Sequence, residues 1–208
     1  MEIKNIKRAR MITAVLCIIA AILCCITGFL YLGGEADAKV TVIKATEQSE
    51  MLSHPAFAVE EYDPVIPEGT NIAPLGKASS NGHNDVYGPN KVNDGKTKGA
   101  SYWEGETDAY PNELTLSFKE KHFMHAIKLL LCPLAVWSKR TQDFGIFVST
   151  DGENFTEFIK SASYDFDPKR NNEVVIEFEE CELMAIKLVF TGNTGAGGAQ
   201  VAELEVYE

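Results

Sequence analysis

The chain has 208 residues, a formal net charge of −11 at pH 7 and 45% apolar residues. That length suits one domain, at most two. The acidic balance excludes a nucleic-acid partner, which needs a basic stripe, and docking on anionic lipid headgroups; by itself an acidic surface names no partner.

Residues 11–32 (MITAVLCIIAAILCCITGFLYL) carry no charge, and Lys4, Lys7, Arg8 and Arg10 precede them. At about 1.5 Å per residue a helix of this length crosses a hydrocarbon core of about 30 Å. The basic flank keeps residues 1–10 cytoplasmic and sends the rest outward. The expectation is a single-pass cell-membrane protein with its C-terminal domain extracellular. The rival is a signal peptide cut after Ala38 of Ala36-Asp37-Ala38, which makes the chain secreted. The apolar run exceeds the usual signal core of about 7–15 residues, which favours the anchor.

Residues 33–68 mix acids, Ser and Pro and read as an extracellular linker, mostly irregular. Lys39–Lys44 suits a short strand, and Pro55, Pro64 and Pro67 interrupt anything longer. Cys17, Cys24 and Cys25 lie in the apolar run. Cys132 and Cys181 read as buried free thiols, with a disulfide left open.

From Asn71 the pattern changes. Leu114-Leu116-Phe118, Phe144-Ile146-Val148, Val174-Ile176-Phe178, Met184-Ile186-Leu188-Phe190 and Ala202-Leu204-Val206 each alternate with other residues. Period two over short runs predicts strands, and Asp151-Gly152 predicts a hairpin turn. Many short strands in one stretch predict an all-β, two-sheet sandwich over residues 69–208.

Several segments, in order, resemble the coagulation factor 5/8 type C (discoidin) family and its family 32 carbohydrate-binding modules. They are Asn71-Ile-Ala with Gly76–Ser80, Val92-Asn-Asp-Gly95 with Ser101-Tyr-Trp103, Glu113–Phe118, Phe144–Gly152, Ala185–Phe190 and Gln200–Tyr207. The resemblance implies a galactose-binding-like jelly roll with a structural Ca²⁺ and a sugar site on loops. One fold hosts many ligands, so the loops must carry the functional argument.

For calcium, the resemblance implies side chains of Asp94 and Glu203, helped by carbonyls of Lys91, Lys96 and Ala202 and by the Ser101 hydroxyl. Six to eight hard oxygens are what the ion requires. The loop from Asp94 to Trp103 is longer than the family's usual pattern.

Neutral sugars need an aromatic face for their C–H side and fixed donors and acceptors for their hydroxyls. Trp137, Arg140 and Gln142 supply all three between two strand patterns, and Arg140 falls where the family often carries a sugar-binding Arg. The ordinary reading sets Trp137 on the sandwich edge and pairs Arg140 with Asp143. Trp103 matches the family's core Trp, which leaves Glu104 as the exposed group beside it. The glycine-rich stretch 191–198 brings Asn193, and Tyr110 is a second candidate for stacking.

Glu104, Glu106 and Asp108 read as a solvated acidic loop rather than a glycosidase pair, and the histidines lack zinc spacing. The expectation is a non-catalytic module for a glycan or polysaccharide. The alternative is an extracellular protein-interaction or cell-envelope structural domain of the same fold.

Overall fold

In the computed structural model, two long strands carry the architecture. The structure describes residues 55–57 and 63–208, together with Ile18. Residues 55–57 and 63–208 fall in one unit, Thr46–Glu208. The expected membrane helix (save Ile18) and the Lys39–Lys44 strand lie outside the described residues, among which no helix is long and apolar enough to cross a membrane.

In chain order the strands are β1 Lys77–Ser80, β2 Trp103–Glu104, β3 Asn112–Leu130, β4 Arg140–Ser149, β5 Thr156–Phe166, β6 Glu173–Asn193, β7 Gln200–Val201 and β8 Glu203–Tyr207. All pairings are antiparallel. The main sheet runs β1-β3-β6-β4-β5, β8 also pairs with β3, and β2 pairs with β7. β3 and β6 each serve two layers. The first half of β3 lies between β1 and the second half of β6. Its second half lies between β8 and the first half of β6. The change comes at Lys119–Lys121, which are exposed, where the β3–β6 register shifts between Ser117 and His122. Such an irregularity bends a strand and lets one ladder fold over a shared core.

That core takes in much of the alternating set the sequence marks, joined by Ile127 and Leu129 from the second half of β3, which it did not mark, while Val174, Ile176, Phe178 and Met184 are only half-buried. Leu114, Leu116, Ile127, Leu129, Phe144, Ile146, Ile186, Leu188, Phe190 and Leu204 are all fully buried in one cluster with Trp103. Each such side chain contributes roughly 1.5–3 kcal/mol of transfer free energy. The sandwich expectation holds. Two expected strands, 174–178 and 184–190, are one continuous strand, β6. β5 is an edge strand that the alternation did not reveal. The Cys132 and Cys181 thiols are both free.

The end of the linker is docked, not loose. The Thr70 N–H donates to the Glu208 carbonyl (2.9 Å), and the Val65 N–H donates to Glu173 Oε1 (2.8 Å). Pro67 is buried, and the Val136 N–H reaches the Ala56 carbonyl at 2.9 Å.

Candidate functional site

The Asp94-Gly95 turn and β8 meet at one point. Gly95 has φ +77°, a left-handed conformation glycine adopts without strain. That turn sends the Gly95 N–H to Glu203 Oε1 at 3.1 Å. Asp94 accepts from the Lys96 N–H at 2.9 Å and from the Ser101 hydroxyl at 2.6 Å. Val92, one residue past Lys91, accepts from the Leu204 N–H at 2.6 Å, which ties this loop to β8. Lys91, Asp94, Lys96, Ser101, Ala202 and Glu203 therefore lie along two hydrogen-bonded segments.

Glu203 is 3% exposed, and its Oε2 has no partner among the described residues. Burial first, then the Asp94 charge, pushes its carboxyl up to about 8, against the opposing pull of the Gly95 N–H. A buried carboxylate beside a second carboxylate, with one oxygen unmatched, fits a hard cation that takes oxygen ligands. Among the described residues no group of three or more acidic, His or Cys side chains is placed to hold a metal ion. Carbonyls and water would have to complete the shell.

A second constellation joins the start of β4, β2 and β7. Tyr87 and Tyr102 stack with centroids 4.2 Å apart, and Tyr102 meets Trp137 edge-on at 4.8 Å and 86°. Arg140 covers one face of Trp137 at 5.0 Å, and Lys91 lies over Tyr87 at 5.5 Å. Tyr87, Tyr102 and Trp137 are all half-buried.

Arg140 is 7% exposed. It donates through Nε to the Ser138 carbonyl and through a terminal nitrogen to Gln200 Oε1. Gln200 Nε2 passes the relay to Glu104 Oε2 (2.8 Å), and Asn84 Nδ2 donates to Glu104 Oε1 (2.9 Å). Burial lowers the Arg140 pKa and the Glu104 charge opposes that shift. A guanidinium remains charged in such a setting. Gly195 lies against it: a Cβ there would sit 2.7 Å from Arg140 Nε.

Three of the six expected sugar residues, Glu104, Trp137 and Arg140, thus belong to one relay. Asn193 shapes the adjacent loop instead. Its Nδ2 donates to the Gly198 carbonyl and its Oδ1 accepts from the Gly195 N–H. Tyr110 packs on the core with its hydroxyl enclosed, and burial raises its pKa. No ring contact joins it to the Tyr87–Tyr102–Trp137 set among the described residues.

Gln142 requires a correction. It has no exposed surface, its Nε2 donates to the Gln200 carbonyl (2.9 Å), and its Oε1 accepts from the Gln200 N–H (2.7 Å). It is an internal cross-link and no ligand group. The reason is register: β4 begins at Arg140, so Arg140, Gln142 and Phe144 all point inward. The Arg140–Asp143 pair considered from sequence is also replaced, since Asp143 takes the Ser163 hydroxyl.

Sequence reasoning missed Tyr87, Asn84, Gln200 and Tyr102. Tyr102 had a signal, because strand alternation places it on the face opposite the fully buried Trp103.

Among known proteins, the fold is shared with carbohydrate-binding modules. The CBM32 of AlyQ in complex with 4,5-unsaturated mannuronic acid is 16% identical, covers 67% of this chain and 97% of its own, and has a TM-score of 0.53. The family 32 module of C. perfringens NanJ in complex with galactose is 18% identical, with 65% and 96% covered and a TM-score of 0.55. A Clostridium perfringens CBM32 in complex with GalNAc-β-1,3-galactose is 22% identical, with 65% and 97% covered and a TM-score of 0.54. No curated protein matches the chain. Residues 76–204, more than half of the chain, match the model of the F5/8 type C domain, and this protein belongs to that family.

Proposed function

We propose that the protein is a non-catalytic carbohydrate-binding module that takes a glycan at the loops around Trp137. The observation that carries this is the joining of half-exposed Tyr102 and Trp137 to the Arg140–Gln200–Glu104 relay. The half-exposed rings offer their uncovered apolar surface to the C–H side of a sugar, and the relay fixes charged donors and acceptors beside them. Hydrogen bonds to charged groups are the stronger ones, at about 1.5–3 kcal/mol each. Three of the modules that share the fold were solved with three different carbohydrates, so the class of ligand is supported and not its identity. Both oxygens of Glu104 are engaged by amides, which suits a fixed acceptor better than a proton-transferring acid.

A structural Ca²⁺ at the Asp94–Glu203 turn completes the reading. The unmatched Glu203 Oε2 supports it. The ion would supply charge compensation between the early loop and the last strand, and no chemistry on the ligand. Asp94, Glu203, Ser101 and the carbonyls of Lys91, Lys96 and Ala202 are the proposed ligands. A membrane tether through residues 11–32, with the domain outside the cell, rests on the apolar run and its basic flank. A module held near a surface in many copies gains avidity from effective concentration.

The test is a glycan array probed with the full chain. Binding that falls about tenfold in Trp137→Ala or Tyr102→Ala, with the fold retained, supports the module.

A second reading, docking of a partner protein, is favoured by one observation. The aromatic rings cover one another, and beside their loop Phe57 and Val136 are 42% and 56% exposed. Silence across a dense array would turn the argument to that reading.

A further inference from the structure

A groove of mixed charge lies beside the Trp137 loop. It has two contiguous lobes of about 260 and 310 Å³ that share Asp165, Asp167 and Arg170. Lys139 lines one end and Val65 the other. The turn after β5 that forms its floor is fastened to the Trp137 loop. Asn172 donates from Nδ2 to the Trp137 carbonyl (3.1 Å) and to the Cys132 carbonyl (2.8 Å), while its backbone N–H reaches the Asp167 carbonyl (2.9 Å). Groove and aromatic cluster are therefore held in fixed relation.

The charges in the groove are loosely paired. Lys139 Nζ sits 3.8 Å from Asp165 Oδ2 and 3.8 Å from Asp167 Oδ2, beyond direct hydrogen-bond length. The Arg170 guanidinium has no hydrogen-bond or ion partner among the described residues. By contrast, Glu173 at the Val65 end is closed off by Lys128 at 2.9 Å. Asp165 Oδ1 accepts from the Thr141 hydroxyl (2.7 Å) and Asp167 Oδ1 from the Lys169 N–H (3.0 Å), so the groove keeps two cations and the Oδ2 atoms of two carboxylates with unmet capacity, and no net charge once Lys128 is set against Glu173.

A row of hydroxyls suits such a lining, because each hydroxyl both donates and accepts. A polyanion suits it less, against a chain of net charge −11. Val65 precedes residues 76–204, so that wall lies outside the part of the chain that matches the family model.

We propose that this groove is a second saccharide subsite, which takes the further units of a neutral glycan chain whose first unit rests at Trp137. The proposal deepens the reading of the protein as a glycan-binding module and rests on it. Lys139 and Arg170 donate to hydroxyls, Asp165 and Asp167 accept from them, and Val65 and Val175 give the apolar contact. The protein would then prefer oligosaccharides to single sugars.

The test titrates the full chain with neutral gluco-, galacto- and N-acetylglucosamine oligosaccharides of about one to six units. The expected result is an affinity rising about tenfold between one and three units in at least one series. Lys139→Ala together with Arg170→Ala should reduce that rise to near unity and leave the single-sugar affinity unchanged; both side chains are exposed, so the fold is retained. Equal affinity at every length, or a rise that survives the double variant, overturns the second subsite and leaves the module standing. No binding in any series overturns the second subsite, and silence across the glycan array as well overturns the module.

Discussion

The Asp94–Glu203 turn and the Trp137–Arg140 cluster are both built from charged groups near the surface, but they are finished differently. In the cluster, the Glu104 carboxylate and the Gln142 and Gln200 amides all have partners, and Arg140 donates to two acceptors. In the turn, Glu203 keeps a buried oxygen without a partner among the described residues and faces a second acid. A satisfied network is stable alone and serves as a rigid platform. An unsatisfied buried carboxylate costs free energy until something compensates it. On the proposed reading the first region presents a surface, and the second would take in a cation.

The largest effect that separates them is a pH dependence. Glu203 has its folded pKa raised to about 8, above the usual carboxylate value of about 4.3. The native state therefore holds that proton more tightly, and the stability it gives is present below about pH 4.5 and is lost as pH rises through about 8. In chelator, unfolding free energy should fall between pH 5 and 8 by up to about 4 kcal/mol. Glu203→Gln should flatten the curve. Identical slopes in the two proteins would remove the turn from the account.

Next in size is Gln142→Leu, which leaves the Gln200 backbone N–H and carbonyl without their amide partner. A loss of about 3 kcal/mol in chemical denaturation is expected. A near-neutral change would mean the platform is less closed than its hydrogen bonds indicate. Calcium follows: at about one hundred times its dissociation constant it should add about 2.7 kcal/mol of stability in the wild type and none in Glu203→Gln. An unchanged melting midpoint on adding the ion would argue against that role. Smallest is Trp137→Ala, expected to weaken a bound glycan about tenfold, roughly 1.4 kcal/mol.

Much of the fold was legible because its core strands bury one face. Leu114, Leu116 and Phe118, and Phe144, Ile146 and Val148, recur at every second position, and the structure buries all six; Phe147, out of phase, is half-buried. β5 was not legible: nearly all of Thr156–Phe166 is exposed or half-exposed, so burial imposed no pattern on it. β6 read as two strands because Glu179-Glu180-Cys181-Glu182 breaks the alternation while the backbone stays extended. At the site, residue types were readable and directions were not. Reading residues 137–142 as a loop or strand edge left Gln142 free to face a ligand, whereas strand geometry from Arg140 onward turns it inward. The meeting of Asp94 with Glu203 depends on a fold-back that no local pattern encodes, and only the family resemblance suggested it.

The most direct measurement is a backbone and indole NMR titration of the domain with the glycan that gives the strongest array signal. Shifts concentrated at Tyr102, the Trp137 indole and Gly195–Gly198 are the expected result. Shifts at His122 and His125, at the bend in the middle of β3, or none at saturating glycan, would contradict binding at the Trp137 loop.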